Sequence, residues 1–327
     1  MEQTRSVTEQ ERRPGPQGPG AGQAATSGLG SILWRTVVGL GILGVLAAIL
    51  WLDYWVGLRL GHGVVLAGLG VVVVLGGTLE YCRMARLLGA GVSRLLVTTA
   101  GVALLLGMWA GWAFGGEPGW PAWFAHPGMT AAAVMVLVAL GVLAGRALTG
   151  AVEGTAQAVA MSVLGLVYVA LPLAFVAALR EGWPEAQTPG GPSLGLMRVI
   201  ATLAVCKATD VGGYFAGRLL GGPRIAPTVS PRKTLSGALG GTLLATGTAV
   251  GFAAAGWSGM SIRLGLLFGV LMTAAAITGD LAESVLKREA GIKDSGSLLH
   301  GQGGVLDMVD DVIFVAPLSY LFFALMR

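Results

Sequence analysis

Residues 262–287, IRLGLLFGVLMTAAAITGDLAESVLK, and 306–326, LDMVDDVIFVAPLSYLFFALM, are two apolar runs of membrane-crossing length separated by a short charged segment. A helix needs roughly 17–25 mostly apolar residues to match the hydrocarbon thickness, and a helix satisfies its own backbone groups there. The pattern extends toward the N-terminus, with further spans expected at about 36–52, 62–79, 93–115, 129–148, 158–180, 195–218 and 234–256. Composition agrees: the chain is 54% hydrophobic and 12% charged, whereas a soluble domain carries about 25% charged residues. Its mean hydropathy is +0.75. The expected fold class is an all-α polytopic membrane protein, a bundle of about nine transmembrane helices.

Basic residues in short loops mark the cytoplasmic side. Fifteen of the 21 Lys and Arg residues fall on one side of these spans, among them Arg83, Arg86, Arg146, Arg232, Lys233, Lys287, Arg288 and Lys293. Five fall on the other side, and Lys207 lies inside a span. The N-terminus is therefore expected in the cytoplasm and the C-terminus outside. Three regions follow: a disordered cytoplasmic tail, 1–30; N-terminal transmembrane helices, 31–157; and a C-terminal catalytic transmembrane region, 158–327, with cytoplasmic loops 219–233 and 288–305. The tail, with ERRPGPQGPGAGQ at its centre, is too polar and too rich in Gly and Pro to bury a core, and it lacks the apolar centre of a cleavable signal.

The net charge of +4 follows from the loop bias. No basic stripe with interleaved aromatics points to nucleic acid. Cys82 and Cys206 are far apart, and Cys206 sits in a span, which argues against a disulfide framework or a thiolate metal site and leaves buried or interfacial thiols. The glycine-rich runs GVVLAGLGVVVVLGG and GALGGTLLATG read as helix-packing surfaces rather than phosphate cradles. Trp120, Trp123 and His126 lie in an external connection, where aromatic side chains anchor at the headgroup level.

Ionisable residues inside spans say more, because each costs on the order of 3 kcal/mol at the bilayer centre unless paired or wetted. In the sixth span Lys207 and Asp210 share a face, as do Asp210, Tyr214 and Arg218. They form either an ion pair within the bundle or the wall of a polar cavity. The eighth span ends in Asp280, Glu283, Ser284, Lys287 and Arg288, and the ninth begins with Asp307, Asp310 and Asp311 at i, i+3 and i+4. Carboxylates converging with Lys and Arg at a cytoplasmic mouth suit a divalent cation and a polyphosphate, and hard oxygen ligands favour Mg²⁺. Glycines 301, 303 and 304 would let a phosphate approach the backbone, near the N-terminus of the ninth helix. A snorkelling basic collar would account for the lysines but not for the aspartates.

At these residues the chain resembles the phosphatidate cytidylyltransferases, or CDP-diacylglycerol synthases. The C-terminal signature of that family is matched from Ser284 through Lys287, Arg288, Lys293, Asp294, Gly301, Gly303, Gly304, Asp307 and Asp310. A second family segment is matched by Ala208-Thr209-Asp210, Gly212, Tyr214, Gly217-Arg218, Gly221, Ala226-Pro227, Val229-Ser230-Pro231 and Lys233-Thr234. The resemblance is strong over about 160–327 and general before that. It implies transfer of CMP from CTP to phosphatidate, giving CDP-diacylglycerol and pyrophosphate, at the cytoplasmic face of a cell membrane. It implies Mg²⁺ with potassium as a second cation, and Asp280 and Asp307 match the family's metal-binding aspartates. Asp310 joins them as a metal ligand. Lys287, Arg288, Lys293 and Asp294 are expected to be catalytic, and Asp210, Lys233, Ser284, Gly303 and Gly304 to bind substrate. The expected partners are CTP, phosphatidate and the bilayer, with no nucleic acid; a homodimer is a further expectation.

Three positions depart from the family pattern. His300 stands where proline is usual, Gln302 where histidine is, and Met308 where arginine is. The loss of that arginine removes a bidentate phosphate clamp, and Lys207, where an apolar residue is usual, is the expected compensating charge. Two other readings compete with the enzyme: a related CTP-dependent membrane enzyme with another lipid acceptor, and a non-catalytic degenerate paralogue. A transporter fits less well, because the charges gather at one mouth rather than at the midplane.

Overall fold

The computed structural model describes residues 21–121, 125–183, 192–296 and 303–326. Among the described residues nine helices follow one another: α1 Ala21–Leu60, α2 Val64–Leu87, α3 Arg94–Phe114, α4 Pro127–Thr149, α5 Thr155–Glu181, α6 Leu194–Leu220, α7 Leu235–Ala254, α8 Ile262–Glu289 and α9 Val305–Ala324. Side-chain caps set several starts. Ser93, Ser193, Thr234 and Ser261 each accept a hydrogen bond from the backbone N–H three residues on, and so satisfy one of the free donors at the first turn of α3, α6, α7 and α8.

Seven of these helices are long and apolar enough to cross a membrane. The other two, α6 and α9, carry the charges expected of them, Lys207 and Asp210 on one and Asp307, Asp310 and Asp311 on the other. The chain is an all-α, multi-pass membrane protein. Two compact units are present, Met1–Leu46 and Ala47–Arg327, and every candidate site residue belongs to the second.

Within that unit α9 is central, packed on α8, α5, α2 and α6, while α7 lies between α6 and α8. The glycine runs serve this packing. A Cβ at Gly212 of α6 would come within 2.5 Å of the Gly240 carbonyl of α7, and one at Gly76 of α2 within 2.6 Å of Val305 on α9. Connections alternate between two ends. At one end Arg146 donates to the carbonyls of Glu153 and Gly91, and Arg288 to that of Val229. At the other, His62 meets Glu181 and Arg198 donates to the Ser258 carbonyl.

Three expectations needed adjustment. The first span does not stop near residue 52: its helix continues to Leu60, because Asp53 is fully buried and neutralised by Arg180 at 2.9 Å. Residues 1–20 of the expected tail lie outside the described residues, and 21–30 are already helical. The loop at 219–233 contains an antiparallel hairpin, β1 Arg224–Ala226 and β2 Ser230–Thr234, closed by the Leu235 N–H on the Pro223 carbonyl at 2.8 Å. Cys82 and Cys206 are buried free thiols, as read from the sequence.

Candidate active site

The last turns of α8 and the first of α9 bring the sequence-predicted charges together. Lys287, only 9% exposed, reaches Glu283 Oε2 and Asp307 Oδ1, each at 2.5 Å. Glu283 is fully buried, and Lys287, one turn further along the same helix, supplies its counter-charge while also bridging to Asp307 on α9. Among the described residues the other oxygen of Glu283, Oε1, is buried without an N–H or hydroxyl donor, and the Asp310 carboxyl group interacts with the Glu283 side chain. Asp311 accepts from Lys207 at 3.0 Å, and Lys207 also meets Asp210 at 3.3 Å. Lys207 thus ties α6 to α9 as well as pairing within its own helix.

Beside this network lies a cavity of about 310 Å³, lined by Asp210 and Tyr214 of α6, Ser230, Arg232 and Lys233 of the hairpin, and Asp280 of α8. Both alternatives for the sixth span therefore hold: Asp210 is an ion-pair partner and a cavity wall. Lys233 crosses the cavity edge to Asp280 at 2.7 Å. Asp280 in turn lies 3.5 Å from the Ser284 hydroxyl. A cavity with two hairpin cations on one wall and two carboxylates on the other can take a ligand that is itself anionic and cation-bound.

The loop between α8 and α9 is held by two carboxylates. Asp307 Oδ2 accepts from Ser295 N–H at 2.9 Å, Ser295 Oγ at 2.7 Å and Gly304 N–H at 2.7 Å. Glu80 of α2 accepts from Val305 N–H at 2.9 Å and Leu306 N–H at 2.8 Å, and at 3.0 Å it shares with Asp307 the single hydroxyl hydrogen of Ser295. These bonds use the N–H groups that open α9. Gly303 has φ +88°, and a Cβ there or at Gly304 would collide with Asp307 or Glu80 respectively. The two glycines admit the protein's own carboxylates to the backbone, where the sequence alone suggested a phosphate.

Lys293 and Asp294 are exposed on this loop, and Arg288 leans on the hairpin through Val229. Gly301, His300 and Gln302 lie outside the described residues, and Met308 is half-buried on α9. Among the described residues no three His, Cys, Asp or Glu side chains surround one point closely enough to ligate an ion. Asp280 is on Lys233, Asp307 on Lys287 and the loop, and Asp310 beside Glu283. Even so, the donor set suits a hard cation. Two carboxyl groups face each other, and one buried carboxylate oxygen has no donor, which is the environment a bound cation completes. Sequence reasoning missed Glu80 and Ser295. The signal for Glu80 was a lone carboxylate just past an otherwise uncharged apolar span.

Residues 34–326 match the model of the cytidylyltransferase family. A phosphatidate cytidylyltransferase of Brucella suis biovar 1 is 44% identical over 138 residues, 42% of this chain and 50% of the relative. Proteins of the same name from Synechocystis sp. and Helicobacter pylori are 40% identical over 162 residues, 47% of this chain and 53% of the relative, and 47% identical over 124 residues, 37% of this chain and 45% of the relative, respectively. The aligned region spans about half the length of these curated relatives.

Proposed function

Because the chain belongs to the cytidylyltransferase family, we propose that it transfers CMP from CTP to phosphatidate, giving CDP-diacylglycerol and pyrophosphate. The observation that carries this reading is the cavity between α6, the hairpin and α8, where Arg232 and Lys233 face Asp210 and Asp280 next to the buried carboxylates of α8 and α9. Relatives named phosphatidate cytidylyltransferase supply the acceptor.

In the proposed reaction a phosphate oxygen of phosphatidate attacks the α-phosphorus of CTP in line. The new P–O bond forms as the bond to the β-phosphate breaks, and pyrophosphate leaves with that electron pair. The phosphate dianion is already a nucleophile, so no side chain need take a proton. Lys233 and Arg232 neutralise the triphosphate from the hairpin side. Arg288 does so from the last turn of α8 and Lys293 from the loop beside Asp294, while Ser284 binds substrate next to Asp280. Lys287 holds Asp307 and Glu283 in register. Asp280, Asp307 and Asp310 would hold Mg²⁺, with potassium as a second cation; bound there, the metal offsets the negative charge that builds up on the leaving pyrophosphate.

The positive-inside bias supports a cytoplasmic cavity, since the hairpin and the α8–α9 loop share an end with the most basic connections. A cytoplasmic or inner membrane location and a homodimer belong to the same reading. The test is phosphatidate-dependent release of pyrophosphate from CTP by the purified chain with Mg²⁺. Release that does not depend on phosphatidate would turn the assignment toward another acceptor.

A further inference from the structure

Among the described residues three lysines pair with carboxylates around the site, and one of these pairings is open to exchange. Lys287 is locked between Glu283 and Asp307, and Lys207 is anchored on buried Asp311 at 3.0 Å. Lys233 differs. Its ammonium meets the Asp280 carboxylate at 2.7 Å and the Ile277 carbonyl at 3.4 Å. Lys233 and Asp280 both line the cavity, and their side chains are 22% and 38% exposed, so a ligand can reach the pair and separating it costs little. The backbone beside Lys233 is fixed: Thr234 pairs with Arg224 across the hairpin and caps α7 through the Gly237 N–H at 3.2 Å. The flexible four-carbon stem of Lys233 therefore swings from a fixed pivot.

This pairing stands in the way of a divalent cation. Oδ2 of Asp280 faces Lys233, and Oδ1 lies 3.5 Å from the Ser284 hydroxyl. A divalent cation on either oxygen would stand within a few ångströms of the ammonium, where like charges repel. The cation gains Asp280 as Lys233 leaves it, and the ammonium leaves most readily for another anion in the cavity. We propose that Lys233 is an exchangeable counter-ion: it occupies Asp280 in the ligand-free site, yields it to a divalent cation and passes to a phosphate of the nucleotide. Cation and nucleotide then promote each other's binding, because each removes what hinders the other. This deepens the function proposed above and rests on it for the identity of both ligands.

The test is thermal unfolding of the purified full chain over a range of Mg²⁺ concentrations at constant ionic strength, without nucleotide or lipid. Lys233→Gln removes the counter-ion and should lower the half-stabilising Mg²⁺ concentration at least about fivefold. Lys233→Arg can hold a carboxylate through two N–H groups and should raise it. A lysine that only fastens the hairpin to α8 would move the unfolding midpoint in both variants and the Mg²⁺ response in neither. Arg232 lines the same cavity and makes no ion pair among the described residues. Arg232→Gln should therefore change the response by no more than about twofold, which separates exchange at Asp280 from a general loss of positive charge. In an Asp280→Asn chain, Lys233→Gln should leave the response where it was. At saturating Mg²⁺ the half-stabilising CTP concentration of Lys233→Gln should rise. Equal Mg²⁺ responses in wild type and both Lys233 variants, a shift in Arg232→Gln as large as that in Lys233→Gln, an unchanged CTP response, or Mg²⁺ that stabilises none of these chains overturns the proposal. Wild-type CTP turnover measured alongside separates the two readings. Opposite shifts with no phosphatidate-dependent turnover sink the proposed reaction and leave Lys233 in its role; turnover with equal responses does the reverse.

Discussion

Replacing Glu80 by Ala should loosen the α8–α9 loop while leaving the bundle folded. Glu80 accepts three hydrogen bonds, from Val305 N–H, Leu306 N–H and Ser295 Oγ, at 2.8–3.0 Å. Bonds to a charged group contribute about 1.5–3 kcal/mol each, and a lost helix cap costs about 1 kcal/mol. The three act on one coupled segment and water can reach the freed N–H groups, so their effects do not add. A total of roughly 3 kcal/mol is expected. At about 2–4 °C per kcal/mol for chains of a few hundred residues, the unfolding midpoint should fall by roughly 6–12 °C. With the Val305 and Leu306 N–H groups freed and Ser295 left to Asp307 alone, the loop should open more often and trypsin should cleave faster after Lys293. Glu80→Gln keeps one acceptor oxygen and should recover part of both effects. The assays are thermal unfolding in detergent and the rate of cleavage after Lys293. A midpoint within about 2 °C of wild type, with unchanged cleavage, would show that the Glu80 clamp does not hold the loop.

Three other variants separate charge that does chemistry from charge that holds the fold. Lys287→Met leaves fully buried Glu283 without its counter-charge, so stability should fall by about 3–5 kcal/mol; Glu283→Gln in the same chain should restore part of it, and thermal unfolding checks both. Asp280→Asn removes a carboxylate whose side chain is 38% exposed and paired only at the cavity edge. It should abolish CTP turnover with little change in unfolding, and turnover above a tenth of wild type would remove Asp280 from the metal site. Asp307→Asn should lose turnover and stability together, because Asp307 accepts from Lys287, Ser295 and Gly304; an unfolding midpoint equal to that of Asp280→Asn would count against its structural part.

Length and apolarity made the helices legible, since a membrane constrains both. Charge made α6 and α9 legible as parts of a site, because carboxylates in a span need partners. What stayed hidden was the identity of those partners. Asp53 looked like the end of the first span until Arg180, 127 residues away, was found beside it. Glu80 clamps the Val305 N–H from 225 residues away, and nothing in its local sequence points there. The hairpin is short and interrupted by Pro227 and Pro231, so it gives no alternating signal. Gly303 and Gly304 were rightly read as places of close approach, but what approaches them is protein.

The fate of the phosphates of CTP tests the central claim most directly. The purified chain, with phosphatidate and Mg²⁺, is given CTP labelled with radioactive phosphorus at either the α or the γ position, and the chloroform-soluble lipid is counted. Transfer of CMP predicts that the α label enters the lipid in step with pyrophosphate release, that the γ label stays in the aqueous phase, and that a chelator stops both. A γ label in the lipid would mean phosphate transfer instead of nucleotidyl transfer, and no label from either position would mean that the chain does not perform this reaction.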